Sequence, residues 1–103
     1  MELMVGENLA KKEVFVKSQY GLHARPAGIL AQAAQNFSSD IKLVYNEQQV
    51  DAKSILDILL LAAGQGSRLE IQAQGRDAQN ALEYLTELFE KDPVIGLEVM
   101  SYL

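Results

Sequence analysis

Residues 68–74 have the sequence RLEIQAQ, in which polar and apolar side chains alternate at every position. Such alternation predicts a β-strand with one face in the core and the other face in water. Leu69, Ile71 and Ala73 form the apolar face. Because a sheet with one buried face needs a second layer to cover that face, this segment predicts a two-layer domain.

The other elements follow from apolar spacing on either side of this strand. Strands are predicted over residues 13–17, 41–45 and 49–53, and the last two are close enough for a hairpin. Helices are predicted over 24–37, 55–63 and 78–90. The sequence therefore predicts an α+β fold of order βαββαβα, an open-faced two-layer sandwich with a four-stranded, mainly antiparallel sheet and three helices on one face.

Length and composition predict one globular domain. The chain has 103 residues, of which 49% are hydrophobic and 22% are charged. We expect residues 1–11 to be an N-terminal lead-in, residues 12–91 to be the folded domain, and residues 92–103 to be an apolar C-terminal extension. Because solvated tails are usually polar, this extension is expected to pack on the domain or on a second chain.

Several classes of function are disfavoured by the same composition. A net charge of −5 without a basic run argues against nucleic-acid binding. No apolar stretch approaches the roughly 20 residues of a membrane span, and the first residues lack the pattern of a signal peptide. The lack of cysteine fits a cytoplasmic location. With a single histidine, neither a zinc site nor another cofactor is expected.

The segment 20–27, YGLHARPA, carries the most unusual chemistry of the chain. His23 falls at the predicted start of a helix, with Arg25 and Pro26 in the first turn. A helix N-terminus offers unpaired N–H groups and partial positive charge, and an arginine fork suits phosphate oxygens. Attack of a nucleophilic imidazole on phosphorus would leave the phosphoryl group among these donors. A lone histidine at a helix start is also simply a surface or capping residue, so spacing leaves both interpretations open.

Residues 21–27, GLHARPA, resemble the active-site signature of the HPr family, the histidine-containing phosphocarriers of the bacterial phosphoenolpyruvate-dependent sugar phosphotransferase system. Residues 53–56, KSIL, with GQG at 64–66, resemble the regulatory-serine segment of the family and the loop after its helix. The strand end at 71–75 is a third similarity. The resemblance covers about residues 12–90, and it implies the same open-faced sandwich.

The resemblance also implies roles for individual residues. His23 would take a phosphoryl group from enzyme I on Nδ1 and pass it to an A-type domain of enzyme II. Arg25 would neutralise the phosphoryl charge, and the backbone N–H groups of Ala24 and Arg25 would complete the phosphate-binding site. The chain would then be a carrier rather than an enzyme. We expect it to be a monomer without nucleic-acid partners or membrane insertion.

The second helix carries two further predictions. Ser54 is a favoured N-cap residue, worth about 1 kcal/mol over alanine, and by resemblance it is also a regulatory phosphorylation site for an HPr kinase/phosphorylase. This helix is more apolar than one buried face requires. Ile55, Leu56 and Leu60 are therefore predicted to dock enzyme I and enzyme II domains. The alternatives are that the C-terminal extension covers this surface or that the helix is buried.

Three features depart from the family pattern, namely the N-terminal lead-in, the apolar extension and the charge at Asp57. They bear on partner specificity more than on His23. The nearest alternative function is that of the nitrogen-branch relative, which shares the histidine signature but serves a regulatory relay. Residues 53–55 and 64–66 look more like the sugar branch. A third alternative is a binding module, which would not need His23 and Arg25 at a helix start.

Overall fold

The described residues form an antiparallel sheet that is covered on one face by helices. The structure, a computed structural model, describes residues 3–4, 8–92 and 94–95. In chain order the elements are β1 Leu3–Met4, β2 Leu9–Phe15, α1 Ala24–Ala34, β3 Asp40–Tyr45, β4 Gln48–Asp51, α2 Ile55–Leu60, β5 Arg68–Gln74 and α3 Ala78–Lys91. The strand order is β1-β2-β5-β3-β4, and every neighbouring pair is antiparallel. The predicted fold class is confirmed, and β1 adds a two-residue strand at one edge.

The core lies between the sheet and the helices, and β5 is at its centre. Leu69, Ile71 and Ala73 of β5 are at most 1% exposed. Across the ladder, Val14 of β2 is opposite Leu69, and Leu43 of β3 is opposite Ile71. Helix α3 packs on β2 and β5, α1 packs against α2 and α3, and α2 packs beside β4. The alternating strand thus divides its side chains between the core and the open face of the sheet, as predicted.

The first long strand begins earlier than predicted. β2 spans Leu9–Phe15, whereas the sequence predicted a strand over 13–17. Ala10 is fully buried and lies opposite Ala73, so the strand already includes the residues just before 12. Lys12 obscured this pattern, because it is a charged residue at an inward-facing position, where it shares a cleft with residues of α3.

Two helices are shorter than predicted. Helix α1 ends at Ala34 rather than at 37. The backbone N–H groups of Asn36 and Phe37 donate to the carbonyls three residues earlier, instead of four as in an α-helix. Helix α2 ends at Leu60 rather than at 63. Ala62, whose φ is +52°, takes the left-handed conformation that ends helices. The GQG segment was predicted to end this helix, and that prediction is wrong because a non-glycine residue takes the position earlier.

The C-terminal extension begins with a turn held by Asp92. The carboxylate of Asp92 accepts hydrogen bonds from the backbone N–H of Val94 at 2.8 Å and of Ile95 at 3.2 Å. Ile95 is fully buried in the core, in agreement with the expected packing of this segment. Residues 96–103 lie outside the described residues, as do residues 1–2 and 5–7 of the expected lead-in. The three domain boundaries stay a prediction.

Candidate functional site

His23 is the N-cap residue of α1, at the position that the sequence predicted. Its backbone is extended, with φ −79° and ψ −172°, and its carbonyl accepts a hydrogen bond from Ala27 N–H at 3.0 Å. The side chain makes no capping hydrogen bond and is exposed. Among the described residues, no hydrogen bond or ion pair engages the imidazole. Its ring nitrogens are therefore available to a partner.

The loop before His23 is fixed by its own hydrogen bonds and by contacts with the segment that follows α2. The Ser18 hydroxyl donates to the Gly21 carbonyl at 2.7 Å, and Leu22 N–H donates to the Ala63 carbonyl at 2.9 Å. Gly21 has a φ of +71°, and a Cβ at this position would lie 2.4 Å from the Ala63 oxygen. Only glycine fits both the backbone angle and this approach. These contacts hold Leu22, the residue before the histidine, against the buried Ala63.

The first turn of α1 is free to receive an anion. It contains no acidic side chain. Pro26 has no N–H and the N–H of Ala27 is already bonded, which leaves the backbone N–H groups of Ala24 and Arg25 without intrahelical partners. The Arg25 guanidinium is exposed, and it has no ion-pair partner in the part of the chain that the structure describes. The helix dipole and this cation both favour negative charge beside His23.

The N-terminus of α2 differs, because a side chain already caps it and its first turn contains an acidic residue. The Ser54 hydroxyl accepts a hydrogen bond from Asp57 N–H at 3.2 Å, so the predicted N-cap is present. The Asp57 carboxylate accepts from Asp51 N–H at 3.2 Å. A carboxylate thus occupies this helix end, and Ser54 itself is only partly exposed. Of these two helix ends, the one at His23 is better suited to an anion.

The predicted docking residues lie on the solvent side of α2. Leu56 is 73% exposed, Leu60 is 74% exposed and Ile55 is 44% exposed, whereas Ile58 is completely buried. One side of the helix therefore contributes to the core and the other presents aliphatic side chains to water. The hydrogen bond between Leu22 and Ala63 ties the segment that follows this helix to the loop that carries His23.

The contact between Tyr20 and the histidine was not predicted from the sequence. The Tyr20 side chain is 75% exposed. The centroids of the Tyr20 and His23 rings are 6.0 Å apart, and the ring planes meet at 79°, an edge-to-face arrangement. The only signal in the sequence was an aromatic residue three positions before the histidine, which does not by itself predict a contact.

Two clefts in the part of the chain that the structure describes lie away from this site. One is on the open face of the sheet, lined by residues that include Lys42 and Gln49, and another runs along α3 beside Lys12 and Thr86. The described residues contain no group of three histidine, cysteine or acidic side chains that could hold a metal ion. Likewise, none of the described helices combines the length and apolarity needed to cross a bilayer.

Together, the fold and the site define a class of protein. An exposed imidazole at a helix end, beside backbone N–H groups without intrahelical partners, is typical of a carrier that presents a group on its surface.

Comparisons with known proteins identify the family. Residues 10–91 match the family described as "PTS HPr component phosphorylation site". The chain is 39% identical over 79 residues to the phosphocarrier protein HPr of Mycoplasma capricolum. The aligned segment covers 77% of this chain and 89% of that protein. The identity of this chain to HPr of Treponema pallidum is 44% over 79 residues, covering 77% and 90%.

A solved structure gives the same result. The histidine-containing phosphocarrier protein of a mycoplasma matches this structure with a TM-score of 0.77 at 36% identity, over 82% of this chain and 97% of that chain. The chain therefore belongs to the HPr phosphocarrier family of the phosphotransferase system.

Proposed function

We propose that this protein accepts a phosphoryl group on His23 from enzyme I, for which phosphoenolpyruvate is the source, and passes it to A-type domains of enzyme II for sugar uptake in the cytoplasm. The observation that carries the proposal is the position of His23. Within the described part of the chain, its imidazole has no hydrogen-bond partner at the N-cap of α1. It lies beside two backbone N–H groups without intrahelical partners and beside the Arg25 guanidinium, for which no ion pair is present among the same residues.

Each transfer is a displacement at phosphorus. The lone pair of one His23 ring nitrogen forms the new P–N bond, the bond from phosphorus to the donor atom breaks, and its electron pair returns to the donor. The phosphoryl oxygens then lie near the N–H groups of Ala24 and Arg25, and the Arg25 guanidinium offsets their charge. Transfer to the acceptor reverses these steps, so His23 is regenerated.

A carrier must hold the phosphoryl group long enough to meet its second partner. No carboxylate in the described part of the chain is hydrogen-bonded to the imidazole or paired with Arg25, so no general base is placed beside the phosphohistidine. This arrangement supports transfer between proteins over hydrolysis, and it is the reason we assign the chain no catalysis of its own.

The first test is a measurement of mass. The pure protein is incubated with phosphoenolpyruvate and a catalytic amount of enzyme I, and the intact protein is then weighed. We expect the gain of one acid-labile phosphoryl group in the wild type and no gain in His23→Ala. If the wild type gains nothing while an established HPr is labelled in a parallel tube, the proposed donor is wrong.

The same assay separates the alternatives. Labelling by the donor of the nitrogen branch, and not by enzyme I, would assign the chain to that regulatory relay. A binding module would keep its activity in His23→Ala, because a module needs no nucleophile. The segment Lys53–Ile55 and the GQG loop support the sugar branch by their resemblance to it.

The surface beside the site supports a docking role for Ile55, Leu56 and Leu60. These side chains present an apolar patch to water on α2, and the segment that follows α2 is hydrogen-bonded to the loop before His23. Both enzyme I and enzyme II domains have to approach this imidazole. We therefore propose that the two partners bind the patch in turn. We also propose that the protein is a monomer when it binds them.

A second phosphorylation, on Ser54, is proposed as regulation by an HPr kinase/phosphorylase. Ser54 lies one residue before Ile55, so a phosphate there would add about two negative charges at the edge of the docking patch. The expected consequence is weaker docking, with no change in the fold.

A further inference from the structure

Among the described residues, the imidazole of His23 has one ring neighbour, a solvent-exposed tyrosine. The Tyr20 and His23 rings meet edge to face with their centroids 6.0 Å apart, within the 4.5–7 Å range over which aromatic pairs attract each other. Among residues 8–92, no hydrogen bond or ion pair restrains the imidazole. The contact with Tyr20 is therefore the interaction through which the protein can fix the rotation of this ring.

The backbone of Tyr20 is held well enough for such a role. Tyr20 lies inside a tight turn in which Gly21 N–H donates to the Ser18 carbonyl at 3.0 Å and the Ser18 hydroxyl donates to the Gly21 carbonyl at 2.7 Å. Ser18 is 2% exposed, so the turn is anchored in the domain. Since the Tyr20 side chain itself is 75% exposed, its ring contributes little to the core.

We propose that Tyr20 is a positioning residue for phosphoryl transfer, and that its ring turns the imidazole so that one particular ring nitrogen faces the N–H groups of Ala24 and Arg25. A half-turn about the Cβ–Cγ bond of a histidine exchanges the positions of its nitrogen and carbon atoms, and an unrestrained ring samples both orientations. The edge-to-face contact favours one of them. This inference rests on the proposed function, because it takes His23 as the phosphoryl acceptor.

A small-molecule donor separates positioning from docking. With phosphoramidate, the lone pair of a ring nitrogen attacks phosphorus, the P–N bond of the donor breaks, and ammonia leaves with the bonding electrons. No protein partner takes part. The wild type, Tyr20→Ala, Tyr20→Phe and Tyr84→Ala are each treated with potassium phosphoramidate, and ³¹P NMR follows the two phosphohistidine isomers separately.

The wild type is expected to give one isomer. Tyr20→Phe keeps the ring and is expected to behave like the wild type. Tyr20→Ala should react about threefold to tenfold more slowly, the range that an aromatic pair supplies, and should give both isomers. Tyr84→Ala removes another exposed tyrosine, which contacts Phe37 instead, and should match the wild type. Thermal melts of each variant confirm that the domain is folded.

Each remaining outcome is decisive. If Tyr20→Ala reacts at the wild-type rate and gives the same single isomer, the inference is wrong, and slower transfer from enzyme I alone would make Tyr20 a docking contact. If Tyr20→Phe behaves like Tyr20→Ala, the hydroxyl acts rather than the ring, which also overturns the inference. If wild-type His23 stays unmodified while free histidine reacts, the positioning role fails, and the enzyme I assay decides the proposed function separately.

Discussion

Asp77 and Ser39 join two loops at the end of the domain opposite His23. The Asp77 carboxylate accepts hydrogen bonds from both the hydroxyl and the backbone N–H of Ser39, the latter at 2.9 Å, and a third from Ser38 N–H at 2.9 Å. The Ser39 hydroxyl and then the Ser38 N–H lower the pKa of Asp77 from 3.8 to about 2. Asp77 is the N-cap residue of α3, yet its side chain makes no capping hydrogen bond, because it is turned towards this loop.

This carboxylate predicts a specific dependence of stability on pH. An unfolded Asp77 takes up its proton near pH 3.8, whereas the folded one stays ionised until about pH 2. The unfolded state therefore binds more protons within this window, and the free energy of unfolding should fall as the pH falls through it. Urea titrations of the wild type and of Asp77→Asn between pH 2 and pH 7 measure the effect. The variant should lose that part of the pH dependence, and an unchanged profile would contradict the assignment.

Gly21 offers a test of the loop that carries the histidine. Gly21→Ala would force a Cβ to within 2.4 Å of the Ala63 carbonyl oxygen at a φ of +71°. We expect a loss of about 2–3 kcal/mol in the free energy of unfolding, since backbone strain and overpacking add. Gly28→Ala is the matched control, because it lies inside α1 with no atom within 4 Å of the new Cβ.

The control should shift stability in the opposite direction. Alanine is preferred over glycine in a helix interior by about 1 kcal/mol, so Gly28→Ala is expected to stabilise the domain. Chemical denaturation of the two variants gives both values. Similar stabilities for Gly21→Ala and Gly28→Ala would show that the approach of Gly21 to Ala63 is not structurally required.

The boundaries of an element could be predicted accurately from the sequence where the alternation or spacing of its apolar residues was regular. The strand at Arg68–Gln74 was located to the residue because no charge interrupts its inward face. The start of β2 was missed because Lys12 does interrupt that face. Local spacing also placed His23 and Arg25 correctly, since a proline in the first turn fixes where α1 begins.

Contacts between distant parts of the chain could not be predicted in this way. The turn that brings Tyr20 to His23 depends on the approach of Gly21 to Ala63, a residue more than forty positions away. The hydrogen bonds of Asp77, the N-cap residue of α3, are a second example. Its side chain bonds Ser38 and Ser39 instead of capping the helix, and that choice depends on how the two loops meet in the folded domain.

The β3–β4 hairpin contains one residue, Glu47, whose backbone strain a substitution can relieve. Asn46 and Glu47 connect the strands as a two-residue loop, with φ values of +49° and +67°. Such loops favour asparagine followed by glycine, because both positions need positive φ. Glu47→Gly should therefore raise the free energy of unfolding by about 0.5–1 kcal/mol, although glycine also gains entropy in the unfolded chain. Denaturation midpoints test this, and a destabilised variant would contradict it.

The docking patch is tested by adding charge to it. Leu56→Glu leaves the core intact, because Leu56 is 73% exposed, so the melting temperature should change little. Phosphoryl transfer from enzyme I is expected to slow about tenfold or more, the effect of removing a central apolar contact from an interface. Modification of His23 by phosphoramidate should be unaffected, since that reaction needs no docking.

A matched control for Leu56→Glu is available on the other side of the domain. Phe15 is 49% exposed and lies on the open face of the sheet, between the buried Val14 and Val16. Phe15→Glu adds the same charge without touching α2 and should transfer at the wild-type rate. Equal slowing in both variants would indicate an effect of net charge and would remove the case for a docking patch on α2.

Asp57 is expected to restrain the phosphorylation of Ser54. Its N–H donates to the Ser54 hydroxyl at 3.2 Å, and its carboxylate lies at the same helix end, where it accepts from Asp51 N–H. A phosphate on Ser54 would have to share this end with that carboxylate. At separations of about 4 Å, like charges in water repel by about 1 kcal/mol, which corresponds to a severalfold slower reaction.

Asp57→Asn should therefore be phosphorylated on Ser54 severalfold faster than the wild type by an HPr kinase/phosphorylase with ATP, as followed by intact mass. Glu90→Gln removes one negative charge from the exposed end of α3 and should leave the rate unchanged. Ser54→Ala should accept no phosphate and should lose about 1 kcal/mol of stability together with its N-cap. Equal rates for Asp57→Asn and the wild type would mean that the rate of Ser54 phosphorylation does not depend on the charge at this helix end.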